Sequence, residues 1–135
     1  MSPTEPIASE PASHARILLI EDNDINRRLL SEYLVHFHYE VTDLPDGTNL
    51  FGAIAEIHPD IILLDLKLPY IDGFQLLSEL RQHPQWSRLP VIVVSAFAFV
   101  TDQKRALALG ARRYFVKPIN PLLLREAIEV ELERS

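Results

Sequence analysis

Beyond residue 15 the chain alternates between short apolar runs and stretches in which apolar residues recur every three or four positions. Ile17–Ile20, Ile61–Leu64 and Val91–Val94 are continuous runs, and weaker ones lie near Tyr39–Leu44 and Arg113–Val116. A continuous run suits a strand covered on both faces, the condition inside a parallel sheet. Between the runs, helical stripes are predicted at Ile25, Leu29, Leu30, Tyr33, Leu34 and Phe37, and at Leu50, Phe51, Ile54, Ala55 and Ile57. Further stripes fall at Phe74, Leu77 and Leu80, and at Leu123, Leu124, Ala127, Ile128 and 129–132. Asp46 ahead of Gly47 and Thr48 reads as a helix start, and Gly110 after Leu109 as a helix stop. The fourth helix, Asp102 to Leu109, carries the weakest pattern.

A βα unit is thus repeated five times, and right-handed crossovers turn such a series into a parallel sheet with helices on both faces. Ligands of such sheets bind outside the carboxyl ends of the strands. Residues 1–14, with Pro3, Pro6 and Pro11 and almost no large apolar side chain, are expected to form a flexible tail ahead of one domain at 15–135. They lack the apolar core of a secretory signal.

Composition narrows the classes. At 135 residues and 47% hydrophobic, the chain can bury one ordinary core. Thirteen basic against 19 acidic residues, a net charge of −6, argue against nucleic-acid binding. Without cysteine, disulfides, thiolate zinc sites and Cys nucleophiles are excluded. The nearly apolar stretch Val91–Val100 is about half the ~20 residues a membrane span needs. The expectation is a soluble, cytoplasmic domain with no membrane segment.

Glu21 and Asp22 follow the first strand, Asp65 the third, Ser95 the fourth, and Lys117 then Pro118 the fifth. Three carboxylates cannot share a small pocket without a cation, because like charges raise their pKa values or drive them apart. Oxygen ligands with room for water suit Mg²⁺, which commonly bridges to phosphate. Lys117 supplies a point charge for a carboxylate or phosphoryl oxygens, and Ser95 a hydrogen-bond donor. An Asp in this setting can act as a nucleophile and form an aspartyl-phosphate. Taken singly, such acidic residues often only cap the next helix, as Asp24 is expected to do.

The segments ILLIEDNDIN from Ile17, DIILLDLKLPYIDGFQLL from Asp60, LPVIVVSAFA from Leu89 and GARRYFVKPI from Gly110 resemble, in order and spacing, the response-regulator receiver domain of two-component signalling. The resemblance covers Arg16 to about Leu132. It implies a flavodoxin-like (βα)5 fold with strand order 2-1-3-4-5. It also implies a phosphorylation-activated regulator whose Asp65 takes a phosphoryl group from a histidine kinase or phosphotransfer protein in a Mg²⁺-dependent reaction. By the same resemblance Asp22 binds Mg²⁺ directly, Glu21 assists through water, and the backbone carbonyl of Lys67 completes the metal ligands beside Asp65. Ser95 becomes the switch hydroxyl, Tyr114 the switch aromatic, and Lys117 the phosphate contact, with a cis Lys117–Pro118 bond. The pair is Glu-Asp where Asp-Asp is commonest, and Ser95 stands where Thr is frequent.

Output is then expected through protein contacts on the face of helix 4, strand 5 and helix 5, to an effector or a second copy, since only one helix follows the fifth strand. Arg112, Arg113, Lys104 and Arg105 are expected to oppose Glu126 and Glu129 there. Phe97 and Phe99 are expected either to tuck under helix 4 or to form a docking patch. Such a domain is a self-phosphorylating and self-dephosphorylating switch rather than a turnover enzyme. One alternative is a Mg²⁺-dependent phosphatase using an aspartyl-phosphate, disfavoured because Lys67 stands where that class places a second Asp. A flavin or nucleotide module is disfavoured because 21–24 carries the wrong charge for a phosphate loop. A receiver fragment of a hybrid kinase or a phosphorelay intermediate fits the same motifs. His14, His36, His38, His58 and His83 are scattered, with His36 and His38, two apart near a helix end, expected in solvated positions and not as metal ligands, and Trp86 expected as a partly buried anchor.

Overall fold

A computed structural model of the chain describes residues 15–134; the expected tail at 1–14, with His14, lies outside the described residues. Strands and helices alternate as β1 Arg16–Ile20, α1 Asp24–His36, β2 Glu40–Leu44, α2 Leu50–Ile57, β3 Ile61–Leu64, α3 Gly73–Gln82, β4 Val91–Ser95, α4 Val100–Ala108, β5 Arg113–Val116 and α5 Pro121–Arg134. All strand pairings are parallel, in the order β2-β1-β3-β4-β5. This is the expected flavodoxin-like arrangement.

The continuous runs are explained by what covers them. Leu18 and Ile20 of β1, Ile62 and Leu64 of β3, and Val91 and Val93 of β4 pack with Leu50 and Ile54 of α2, Leu77 and Leu80 of α3, and Ala106 of α4. The alternate residues Ile17, Leu19, Ile61, Leu63, Ile92 and Val94 pack on the other face with Leu34 of α1 and Leu124 and Ile128 of α5. Each fully buried Leu or Ile gains about 1.5–3 kcal/mol over an exposed one. Burial on both faces therefore specifies the central strands. It also aligns the carboxyl ends of β1, β3 and β4 along one edge.

Two glycines answer to particular backbone needs. Gly110 closes α4 with φ 109°, a left-handed conformation that L side chains rarely adopt. Gly73 opens α3 with its Cα against the Leu66 backbone, where an added Cβ would lie 2.7 Å from the Leu66 carbonyl oxygen. Arg81 ties loops on one side of the sheet together, donating to the carbonyls of Gly110 at 2.8 Å and Leu89 at 2.6 Å.

Some expectations are corrected. Asn23, not Asp24, caps α1, its side chain accepting from the Asn26 amide at 2.9 Å. Asp46 instead closes a turn onto Thr48, and α2 begins at Leu50. The α1 stripe is only partly a core stripe, since Ile25 and Leu29 are 69% and 61% exposed. The fourth helix starts two residues early, at Val100. His36, His38 and His58 are solvated, and His83 is half-buried, stacked on Trp86 with ring centroids 3.9 Å apart. Trp86 also stacks on Phe51, as befits an anchor. Arg112 and Arg113 pair with the buried Glu131 rather than with Glu126 or Glu129. Among the described residues no helix is long and apolar enough to cross a membrane.

Candidate functional site

Neighbouring strands set the backbone of the site. The Glu21 amide, just past β1, donates to the Leu44 carbonyl at the end of β2, and the Asp65 amide donates to the Ile20 carbonyl at the end of β1. The Lys117 amide donates to the Ser95 carbonyl at 2.9 Å, and the Lys117–Pro118 bond is cis. Residues far apart in sequence are thereby delivered to one edge.

Their side chains converge. Lys117 Nζ donates to Glu21 Oε1 and, at 2.8 Å, to Asp65 Oδ2. Asp65 Oδ1 accepts from the Lys67 amide at 3.0 Å, and Glu21 Oε2 from the Asn23 amide at 3.0 Å. Glu21 and Asp65 are buried while Asp22 is exposed, and one carboxylate oxygen from each of the three lies within 4.8 Å of the others. Three carboxylates thus face one ammonium. Burial pushes the Glu21 carboxyl above its ordinary value despite the bonds from Lys117 and Asn23. Burial alone would lower the Lys117 ammonium, but hydrogen bonds to Asp65 and Glu21 outweigh it and raise it. Desolvation sets the direction for Glu21, and the two acidic acceptors set it for Lys117.

Ser95 lies at the same edge, fully buried, but its hydroxyl accepts from the Phe97 amide at 3.2 Å and makes no hydrogen bond to Asp65 or Lys117. Tyr114 is half-buried and donates from its hydroxyl to the Phe97 carbonyl at 2.7 Å. Burial raises its phenol pKa, against the effect of the nearby Ser95 hydroxyl. The two aromatics of the β4–α4 loop separate. Phe97 turns inward and lies parallel to Phe74, with Arg105 over the Phe74 ring at 4.1 Å, whereas Phe99 is 77% exposed. A cavity of about 430 Å³ borders Glu21 and Lys117 between α1 and the segment after β5, walled by Leu29, Leu30, Tyr33 and Ile119. It flanks the acidic cluster without reaching Asp65.

Two groups were missed by the sequence reading. Arg27 donates to the Glu21 carbonyl at 2.9 Å and to Asp24 at 2.7 Å, directly behind the acidic pair. Glu131 is 1% exposed and is held by Arg112 and Arg113 at 3.0 and 2.9 Å. Its signal was available: it continues the helical phase of Leu124, Ala127 and Ile128, which faces the core. For Arg27 no pattern in the motif pointed to a role.

Comparison with known proteins agrees with this geometry. The chain is 36% identical over 110 residues to the response regulator PleD of Caulobacter vibrioides, covering 82% of this chain and 24% of PleD. It is 34% identical over 120 residues to the regulatory protein AtoC of Escherichia coli K12, covering 86% of this chain and 26% of AtoC. It therefore spans about a quarter of the length of these relatives. The BeF3-activated N-terminal receiver domain of RstA from Klebsiella pneumoniae superposes with a TM-score of 0.80 at 28% identity, covering 87% of this chain and 97% of that one. The family model described as the response regulator receiver domain matches residues 17–129. That match takes in the acidic cluster, its lysine and the Ser95–Tyr114 region, and the chain belongs to the response regulator receiver domain family.

Proposed function

We propose that this domain, residues 15–135, is a switch in which Asp65 accepts a phosphoryl group from a phosphohistidine on a histidine kinase or phosphotransfer protein. An Asp65 carboxylate oxygen bonds to phosphorus as the P–N bond breaks, and the electron pair leaves with the donor's imidazole. The observation that carries this reading is Lys117 bridging the buried Asp65 and Glu21, with Asp22 completing a three-carboxylate cluster. Lys117 is placed to transfer its hydrogen bonds from the carboxylates to the new phosphoryl oxygens.

The donor set fits Mg²⁺: clustered carboxylate oxygens with one member open to water. Asp22, Asp65, Glu21 and the Lys67 carbonyl would hold it. When bound, it would offset the charge repulsion between these carboxylates and an incoming phosphoryl group. Ser95 responds by giving up the Phe97 amide and turning its hydroxyl to a phosphoryl oxygen. Tyr114, hydrogen-bonded to that same Phe97 peptide segment, then changes its hold on the β4–α4 loop. The altered α4–β5–α5 face would be read by an effector protein or a second copy. A turnover phosphatase is disfavoured by Lys67, which stands where an acid/base Asp would be needed. We place the domain in the cytoplasm, where its donors act.

Incubation with acetyl phosphate, with and without Mg²⁺, tests the reading by intact mass. One added phosphoryl group that depends on Mg²⁺ and vanishes in Asp65→Asn is the expected result. Catalytic release of phosphate from small esters, without a lasting adduct, would point to the phosphatase.

A further inference from the structure

Asp22 is the one carboxylate of the cluster that no hydrogen bond holds among the described residues, and it is exposed. Its direction is therefore set by the peptide that carries it. The carbonyl of that Glu21–Asp22 peptide accepts from Arg27 Nη1 at 2.9 Å. The same guanidinium donates from Nη2 to Asp24 at 2.7 Å and faces Asp43, at the end of β2, with Nε 3.6 Å away. Three acceptors on three segments, the exit of β1, the start of α1 and the end of β2, thus meet one planar fork.

An exposed pair with Asp24 alone would mean little. What separates Arg27 from a surface pair is its burial, with only 18% of its side chain exposed, and its grip on the peptide between the two acidic residues. We infer that Arg27 is a positioning residue for the cation site, orienting the Glu21–Asp22 peptide so that the Asp22 carboxylate faces Asp65. Rotation of that peptide would swing Asp22 out toward water while leaving Glu21 on Lys117. A guanidinium serves all three acceptors at once; an ammonium of the same charge cannot match that fork. This inference rests on the cation site proposed above, and it concerns a residue that touches neither the cation nor the phosphoryl group.

The test is a Mg²⁺ titration followed through the backbone amide resonances of Asp22 and Asp65, in the wild type, Arg27→Met and Arg27→Lys. Removal of a group that orients a metal ligand typically weakens metal binding about 10–100-fold, and a loss of about tenfold or more is expected for R27M. R27K should fall between R27M and the wild type. Phosphorylation of R27M by acetyl phosphate should be slow at low Mg²⁺ and recover at saturating Mg²⁺, which a general loss of structure would not allow. An unchanged Mg²⁺ affinity in R27M, or a slow rate that saturating Mg²⁺ does not restore, overturns the inference. If R27M does not fold, R27K decides: weakened binding supports the role and wild-type binding removes it. Failure of the wild type itself to bind Mg²⁺ overturns the cation site, and this inference with it.

Discussion

Replacing Glu131 by Gln removes the charge that Arg112 and Arg113 share on the buried side of α5. The carboxylate is 1% exposed and accepts at 3.0 and 2.9 Å from the two guanidinium groups, so α5 is bolted to β5 and the turn before it. Breaking a fully buried pair costs about 3–5 kcal/mol. Water reaches both arginines here, whose side chains are 33% and 36% exposed, and Gln keeps one acceptor. Screening and that residual bond bring the loss to about 2 kcal/mol at neutral pH. For a domain of this size that is a fall in Tm of roughly 8 °C.

The pH dependence gives the prediction a sharper edge. Burial pushes the Glu131 carboxyl up, and the bonds from Arg113 and Arg112 more than reverse it, leaving it below its ordinary 4.5. With the folded value depressed, acidification protonates the unfolded chain first. The contribution is complete above the unfolded value and disappears as pH falls through the lower folded value. Urea unfolding of wild type and E131Q should therefore differ by about 2 kcal/mol at pH 7, and the gap should narrow steadily as pH falls below 4.5. Equal stability at pH 7, or a gap that persists undiminished in acid, refutes the reasoning.

Gly73→Ala drives a Cβ to 2.5 Å from the Leu66 Cα, so it should cost about 1–3 kcal/mol in urea unfolding and slow phosphorylation by shifting the loop that carries Lys67; full retention of both would contradict the packing at that turn. Tyr114→Phe removes the bond to the Phe97 carbonyl and should lower unfolding free energy by about 1 kcal/mol, with shifted Phe97 resonances; an unperturbed β4–α4 loop would show that the bond does not matter. Chelating divalent cations with EDTA should abolish labelling by acetyl phosphate while leaving far-ultraviolet circular dichroism unchanged; labelling that persists would remove the metal from the account.

The sheet was legible because β1, β3 and β4 are covered on both faces, which forces continuous apolar runs, and because Gly110 carries a backbone requirement visible as a residue type. The acidic residues and Lys117 were legible because strand ends align in a parallel sheet, so position after a run translates into position in space. Helix phase was harder. Ile25 and Leu29 extend the stripe of Leu30, Tyr33 and Leu34 on the edge far from Leu34 and face solvent, since a stripe wider than the buried strip does not declare which edge is covered. Ion-pair partners were hardest: Arg112 and Arg113 could reach several acids by spacing, and only the turn of α5 brings Glu131 under them. Arg27 acts through a backbone carbonyl, which no side-chain pattern records.

Central to the account is that Asp65, and no other group, carries the phosphoryl bond. Acetyl phosphate labelling followed by borohydride reduction, which converts an acyl phosphate to an alcohol, locates that bond by peptide mass. Reduction at Asp65 alone is the expected result. Label on Glu21 or Asp22, on a histidine or serine, or on no residue at all would contradict it.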